Sequence, residues 1–210
     1  MEPMTADEVL TTTRAVRKRL DLTRPVPRAV LLECLQIAMQ APNGSNRQLW
    51  SFVVVDDPAT RAAMAEIYRD SLASYTTGLS LAPVDWADPS NLRMGDSVAH
   101  LREHLHEVPV LVVPTVAARL DGASIGDQAH LWGSILPAVW SFMLALRTRG
   151  LGSVWTTVHL QQEERMAELL GIPYGEQTQA GLFPVAYTIG TDFRPGTRAL
   201  SDAVVHFDRW

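Results

Sequence analysis

The segment from Gln128 to Arg149 limits the possible folds more than any other part of this sequence. Its apolar residues leave no polar face on a helix: Leu131, Trp132, Ile135, Leu136, Ala138, Val139, Trp140, Phe142, Met143, Leu144, Ala145 and Leu146. A helix that is apolar all round must be covered on every side. Two interpretations stay open, the central core helix of a monomer and a helix that a second subunit helps to cover. Pro137 should bend this helix.

The overall composition is that of a globular protein. Of 210 residues, 47% are hydrophobic and 20% are charged, and the length fits a single domain over 1–210. The first residues lack the apolar core of a signal peptide, and no unbroken apolar run approaches the roughly 18 residues of a membrane span. The single cysteine, Cys34, cannot form an internal disulfide. We expect a cytoplasmic protein that does not bind a membrane.

Positive charge is concentrated near the start of an otherwise acidic chain. The formal net charge is −5, which argues against a general nucleic-acid partner. Six of the 18 basic residues nevertheless fall between positions 14 and 28, where only Asp21 opposes them. They are Arg14, Arg17, Lys18, Arg19, Arg24 and Arg28. Two interpretations stay open for such a cluster in an acidic protein: a solvated basic loop, which the count alone favours, and a segment that holds an anion.

Helical and strand patterns alternate along the chain, and the helices outnumber the strands. Helices are predicted after a capping box at Thr5–Glu8, from near Pro27 to before Pro42, and over 57–72, 96–107, 128–149 and 161–170. Strands are predicted over 50–55, 108–116, 152–158 and 182–189, with Pro109 and Pro114 marking the ends or an edge of the second. Residues 76–94 have the composition of an irregular insertion or lid. The pattern predicts a small sheet within a helical shell.

Common nucleotide-binding motifs are absent. The chain has no GxGxxG after a strand and no GxxxxGK[ST]. His100–His104 fits the pattern H-x-x-E-H, which would place two zinc ligands on one helix face. A charged helix surface explains the same residues, and no third ligand stands out. We therefore predict no metal site and keep a zinc hydrolase as an alternative.

Four segments carry a stronger signal together than any one of them does alone. They are Thr13–Asp21 with Arg24–Pro27, Ala41–Trp50, Gly150–Thr157, and Gly171–Pro173 with Pro184–Gly190 and Asp192–Arg198. In this order and spacing they resemble the nitroreductase family of flavoproteins over nearly the whole chain. The resemblance implies an α+β fold, in which helices surround a mixed sheet, and an intertwined homodimer with FMN at the subunit interface. A tail over 191–210, which includes Phe193, Phe207 and Trp210, would then pack on the partner.

The resemblance also implies which residues bind the cofactor: Arg14, Ala15, Val16, Arg17, Lys18, Pro42, Asn43, Gly44, Asn46, Gln48, Thr156, Thr157, Arg194 and Arg198. Arg14 and Arg198, with Arg194, would bind the phosphate, because a guanidinium donates two parallel hydrogen bonds. Arg17 or Lys18 would lie at the N1 and C2 carbonyl edge of the ring. The loop over 42–48 would contact the flavin bound mainly by the other subunit. Backbone amides at Thr156 and Thr157 would face N5.

The implied activity is hydride transfer from NADPH or NADH through flavin N5 to a nitroaromatic, quinone or similar acceptor, with no catalytic side chain. The alternatives are another flavoenzyme of this fold, such as a dehydrogenase or reductive dehalogenase, and a non-enzymatic flavin-binding protein. The sequence departs from the family pattern in two places. Ala15 or Val16 stands where many members carry serine, and Leu49 stands where proline is usual.

Overall fold

The computed structural model describes residues 4–78, 85–198, 201 and 204–210. Its helices are α1 (Ala6–Thr12), α2 (Arg28–Ala38), α3 (Pro58–Gly78), α4 (Pro89–His104), α5 (Ile125–Arg147) and α6 (Glu163–Leu170). Its strands are β1 (Trp50–Val55), β2 (Val110–Val116), β3 (Leu151–Ser153), β4 (Thr178–Gln179) and β5 (Phe183–Tyr187). The predicted α+β class is confirmed.

The five strands form one sheet in the order β1, β2, β5, β3, with β4 also beside β2. The ladders between these strands are antiparallel, and an isolated bridge between Ala15 and Ser153 adds a parallel pairing. Every residue of β2 is buried. Leu111 and Val113 face one apolar core and Val110 and Val112 face the other, as the two-residue repeat of a strand requires. Helices therefore cover both faces of the central strand.

The prediction that Pro114 marks an end or an edge is wrong, because Pro114 lies inside the central strand. Its position has a physical reason. β2 pairs with β5 as far as Val112 and with β4 from Thr115 onward, so Pro114 lies where β2 changes neighbours on that side. A proline nitrogen cannot donate a hydrogen bond, and at this interruption the sheet does not need one. The Pro114 carbonyl still accepts from the Ala180 amide at 2.8 Å.

The segment predicted as an irregular insertion is helical at both ends. α3 continues beyond the predicted end near residue 72 as far as Gly78. α4 begins at Pro89 rather than near residue 96, because the Asp88 side chain accepts from the Ser90 amide and Pro89 suits a first turn. The middle of the predicted lid, 79–84, lies outside the described residues. The capping box at Thr5 and Glu8 is present as predicted.

α5 is the long apolar helix, and one chain covers it only in part. It packs on α2 and on the sheet, where Ile135, Val139, Phe142 and Leu146 are buried. Trp140 on the same helix stays 39% exposed. By length and composition alone α5 could cross a membrane, but half of its most apolar stretch is buried inside the protein.

Cys34 on α2 is fully buried in the core that α2 shares with α5. Burial raises the pKa of its thiol to about 11. Little thiolate therefore forms at neutral pH, which fits a packing role for this residue.

Candidate functional site

The basic N-terminal segment is fixed against the end of β3. Ala15 pairs with Ser153, and the Val16 amide donates to the Ser153 carbonyl at 2.9 Å. Val16 is buried in the core, while Ala15 is exposed. Gly152 permits this approach, because a Cβ atom built there would lie 3.0 Å from the Val16 side chain. The backbone on either side of these residues therefore has a defined position relative to the sheet.

Arg14 lies directly over the C-terminal segment. A Cβ atom added at Gly196 would lie 2.4 Å from one terminal nitrogen of the Arg14 guanidinium, so only glycine allows this contact. Arg194 and Arg198 stand two residues to either side of Gly196. Among the described residues Arg14 forms no ion pair. The structure thus brings Arg14 against the segment that carries the other two arginines predicted to bind phosphate.

Arg14 also lines a narrow cleft that contains two buried polar atoms without hydrogen-bond partners in the described chain. The cleft is lined by Thr13, Arg14, Val16, Met143, Arg147, Leu151, Gly152, Ser153 and Phe193. The partnerless atoms are Arg147 Nε and Ser153 Oγ. Buried polar atoms of this kind are rare in folded proteins and call for an explanation, such as a bound polar group. The cleft therefore has the chemistry of an anion site.

Arg147 is a site residue that the sequence did not identify. It lies at the end of α5 and is only 7% exposed. It donates to the Thr191 carbonyl at 3.0 Å and reaches Thr12 Oγ1 at 3.4 Å, so its hydrogen-bond partners are uncharged. Desolvation lowers the pKa of its guanidinium, and the charge of Arg19 acts in the same direction. The sequence hints at this role only by placing a charged residue at the end of an otherwise apolar helix.

Arg17 and Lys18 have different surroundings. Arg17 is half-buried and donates to Ser97 Oγ on α4 at 3.3 Å. Burial lowers the pKa of its guanidinium, and the electrostatic effect of Tyr68 opposes that shift. Lys18 is exposed and forms an ion pair with Asp96 on the same helix. A carboxylate of α4 therefore neutralises Lys18, whereas Arg17 keeps its charge beside a neutral hydroxyl.

The two threonines after β3 also differ. The predicted strand over 152–158 ends at Ser153, and Thr156 returns to the sheet only through an isolated bridge. The Thr156 amide donates to the Leu182 carbonyl at 3.1 Å, so it is already used inside the fold. The Thr157 amide donates no hydrogen bond within the described residues, and Thr157 is exposed. Of this pair, Thr157 is the one that offers a free amide to a ligand.

The loop over 42–48 holds an unusual backbone conformation. Ser45, Asn46 and Gln48 have φ angles of 51°, 53° and 50°, a region that residues other than glycine seldom adopt. The loop is fixed on α5, because the Gly44 amide donates to Ser134 Oγ at 2.9 Å. Asn43 Oδ1 accepts from the Gln48 amide at 3.0 Å and closes the turn. Strain held in place by such contacts is typical of ligand-binding loops.

The loop and the arginine cleft do not meet within one chain. Ser134 supports the loop, and Arg147 lines the cleft farther along the same helix. At a rise of about 1.5 Å per residue, the helix between them is about 20 Å long. Pro42, Asn43, Gly44, Asn46 and Gln48 thus form one group, and Arg14 with the segment that carries Arg194 and Arg198 forms another.

A family model for the nitroreductase family matches residues 10–187. This chain belongs to the nitroreductase family. The matched range includes the basic segment, the strained loop and the threonines after β3, and it ends before the tail arginines.

Individual proteins resemble the chain at 21–32% sequence identity. It is 32% identical to an NADH dehydrogenase of Thermus thermophilus over 175 residues, which cover 79% of this chain and 81% of that protein. It is 29% identical to iodotyrosine deiodinase 1 of Rattus norvegicus over 86% of this chain, but spans only 61% of that protein. A crystal structure of iodotyrosine deiodinase with FMN and 3-iodo-L-tyrosine superposes with a TM-score of 0.75 and 21% identity, covering 98% of this chain and 100% of that one.

The zinc alternative gains no support from the structure of this nitroreductase-family chain. His100 and His104 lie on one face of α4 with ring centroids 4.4 Å apart, but the Nδ1 atom of His104 is 2.7 Å from Glu107 Oε1. No group of three or more histidine, cysteine, aspartate or glutamate residues that could hold a metal ion occurs in the part of the chain that is described. These residues form the charged helix surface that the sequence also allowed.

Proposed function

We propose that this chain is an FMN-dependent oxidoreductase that accepts hydride from NADPH or NADH and delivers two electrons to a nitroaromatic, quinone or similar acceptor. One observation carries the proposal. Arg14 lies on Gly196, between Arg194 and Arg198, and no carboxylate among the described residues neutralises it. Cations that gather from both ends of an acidic chain and remain unpaired favour a dianionic ligand such as a flavin phosphate.

The cleft fits a phosphate group chemically. Arg14 lines the cleft, and its guanidinium supplies a forked donor that matches phosphate oxygens. Arg194 and Arg198 are exposed on the segment beside Arg14 and would add further forked donors. Ser153 Oγ and Arg147 Nε add polar atoms that lack partners in the described chain. We assign the phosphate to Arg14, Arg194 and Arg198, with Ala15 contributing backbone only, since its side chain cannot donate. The Val16 amide already donates to the Ser153 carbonyl, so Val16 positions this segment.

We assign Arg17, rather than Lys18, to the pyrimidine edge of the ring. FMN, when bound, would supply the hydride chemistry at its N5 atom. Arg17 is half-buried, and within the described part of the chain its side chain hydrogen-bonds only to a hydroxyl, so its charge can stabilise the negative charge that the ring gains on reduction. Lys18 is held by Asp96 at the surface. Thr157 supplies the free amide at N5, and Thr156 supports it through the bridge to Leu182.

The loop over 42–48 belongs, in this proposal, to the cofactor site of a second copy of the chain. It lies about 20 Å from its own arginine cleft along α5. A homodimer would bring the loop of one chain to the cleft of the other and would cover the exposed side of α5. It would also give the tail a surface to pack on, since Phe207 is 85% exposed and Trp210 is 99% exposed in the single chain. Exposed apolar groups of this size mark interaction surfaces.

A reductive dehalogenase is the second candidate, because the iodotyrosine deiodinases are among the relatives and structures that this chain resembles. The two candidates share the cofactor and differ in the acceptor. Anaerobic assays with NADPH or NADH and a panel of nitroaromatics, quinones and halogenated phenols would separate them. FMN that stays oxidised when NADPH or NADH is added would support a non-enzymatic flavin-binding protein instead.

The cofactor assignment is tested with the purified protein and its visible spectrum. We expect the wild-type protein to take up FMN and the Arg14→Gln, Arg198→Gln double variant to bind it at least about a hundredfold more weakly, because charged hydrogen bonds contribute about 1.5–3 kcal/mol each. The matched control is Arg28→Gln, which removes a charge from the same segment but one that is exposed and paired with Asp56. Equal FMN binding by the double variant and the wild type would refute the assignment.

A further inference from the structure

The tail leaves the sheet through a turn that two arginines hold in place. Arg19 Nε donates to the Ile189 carbonyl at 2.8 Å, and its terminal nitrogen forms an ion pair with Asp192 at 2.6 Å. Gly190 between them has a φ angle of 75°, and a Cβ atom there would lie 2.7 Å from the Arg19 guanidinium. Arg147 donates to the Thr191 carbonyl at 3.0 Å. Side chains from two distant parts of the sequence thus fix the first residues of the tail.

Both guanidinium groups also contact the ring of Phe193. The Cζ atom of Arg19 lies 4.3 Å from the ring centroid, and that of Arg147 lies 4.8 Å from it. The two cations are close enough for the charge of Arg19 to lower the pKa of Arg147. An aromatic face attracts a cation, so the ring offsets part of this repulsion. We call Arg19, Arg147 and Phe193 the Phe193 clamp.

We propose that the Phe193 clamp positions Arg194 and Arg198 for the phosphate of the cofactor, an inference that rests on the proposed function. Arg194 follows the clamped ring directly, and two residues later Gly196 lies under Arg14. The clamp therefore fixes one end of the segment 194–198, and the contact with Arg14 fixes its middle. Phe193 also lines the cleft, but its ring cannot donate a hydrogen bond to a phosphate, so it acts as a positioning residue.

The clamp also accounts for the buried charge of Arg147. Burying an arginine whose hydrogen-bond acceptors are neutral costs free energy. An apolar residue at position 147 would avoid this cost, but the Thr191 carbonyl would lose its donor and the Phe193 ring would lose a cation contact. The position of Arg147 at the end of α5 links the buried helix to the tail. Through Arg147, the core helix α5 therefore supports the first residues of the tail, which form neither helix nor strand.

The test measures FMN affinity by the quenching of flavin fluorescence. We expect Phe193→Leu to raise the Kd about tenfold, because two cation–π contacts are lost, and Phe193→Tyr to change it by less than about twofold, because the ring is kept. A simple loss of stability would not distinguish tail positioning from general damage. The decisive measurement is therefore a double-mutant cycle between Phe193→Leu and Arg198→Gln.

In the wild-type background Arg198→Gln should weaken FMN binding about tenfold or more. In the Phe193→Leu background the same change should cost about threefold or less, since Arg198 is no longer held in place. Arg17→Gln is the control, because Ser97 and the bridge to β3 fix Arg17 independently of the tail, and its cost should be the same in both backgrounds. If Phe193→Leu does not fold, the half-exposed Arg19→Gln replaces it in the same cycle.

The outcomes separate this inference from the proposed function. A wild-type protein that binds no FMN would overturn both. A wild-type protein that binds FMN and loses it with Arg14→Gln, but in which Arg198→Gln costs the same with and without Phe193, would overturn only the clamp. Loss of the Arg198 effect in the Phe193→Leu background, together with normal binding by Phe193→Tyr, would support it.

Discussion

Arg119 and Arg147 are both largely buried, but their surroundings differ in one respect. Arg119 forms ion pairs with Glu163 at 3.0 Å and with Asp121, and it lies over the ring of Tyr174. Arg147 also lies against an aromatic ring, but its hydrogen-bond acceptors are a carbonyl and a hydroxyl. The charge of Arg119 is thus neutralised inside the fold, whereas that of Arg147 is not.

The difference indicates separate roles for the two clusters. A buried charge is costly unless it is paired, so a chain that leaves one unpaired accepts a loss of stability. Near Arg119, the Glu163 carboxylate also accepts a hydrogen bond from the Gln179 backbone amide at 2.8 Å. The side-chain oxygen of Gln179 lies within hydrogen-bond distance of Nε2 of the buried His159. That network pairs the Arg119 charge and stabilises the fold, although Nδ1 of His159 has no partner among the described residues. The cleft with Arg14 and Arg147 has excess positive charge and remains able to bind an anion.

Removing Arg119 is the strongest test of this contrast. We expect Arg119→Gln to lower the free energy of unfolding by about 3 kcal/mol, because it leaves the mostly buried Glu163 carboxylate without its cation. FMN affinity should not change. Urea denaturation and FMN titration of the same preparation measure both quantities. Arg165→Gln is the control, since its exposed pair with Asp70 should contribute less than about 1 kcal/mol. If Arg119→Gln weakened FMN binding and left stability unchanged, Arg119 would serve cofactor binding and not the stability of the fold.

The pH dependence of stability tests the same network through His159. Burial lowers the pKa of this side chain to about 4, below its ordinary value of 6.5. Between these values the unfolded chain binds more protons, so stability is full above pH 6.5 and falls as the pH drops toward 4. We expect a loss of about 2 kcal/mol between pH 7 and pH 4.5 that His159→Gln does not show.

Other groups titrate in the same range, so the comparison must be made with the variant. Carboxyl groups with lowered pKa values, such as Asp56 beside Arg28, also reduce stability in acid. They are common to both proteins and cancel in the difference between wild type and His159→Gln. Denaturation curves at several pH values give that difference directly. If the free energy of unfolding fell equally with pH in the wild type and in His159→Gln, His159 would not take up a proton on unfolding.

The parts of the fold that depend on local chemistry could be predicted from the sequence. β1 has the predicted bounds, Trp50–Val55, because its residues form a run rich in β-branched and aromatic side chains. The capping box at Thr5 and the left-handed Gly171 at the end of α6 follow equally local rules. Pro114 is the exception, because the change of strand partner that makes it tolerable involves residues far along the chain.

The parts of the candidate site that depend on distant contacts could not be predicted in this way. The strained angles at Ser45, Asn46 and Gln48 are invisible in their residue types, because α5 holds the loop from about 90 residues away through Ser134. The difference between Arg17 and Lys18 is decided by α4. The resemblance to a family predicts which arginines bind the cofactor, whereas only the structure separates paired cations from unpaired ones.

The variant with the smallest expected effect is Gly196→Ala, at the point where Arg14 contacts the tail. In Gly196→Ala the new methyl group would occupy the place of the Arg14 guanidinium, which lies at the end of a flexible side chain and can move aside. We therefore expect the free energy of unfolding to change by less than about 1 kcal/mol and FMN affinity to fall about fivefold. Gly175→Ala is the control, because a Cβ atom at that position meets nothing within 4 Å.

The effect of Gly196→Ala should depend on Arg14. In an Arg14→Gln background the shorter side chain leaves room for the methyl group, so the additional loss of affinity should disappear. FMN titrations of the four proteins in this cycle measure the coupling. If Gly196→Ala weakened binding equally with and without Arg14, the glycine would act through the path of the tail itself. The contact between the two ends of the chain would then lose its assigned role in binding the anion.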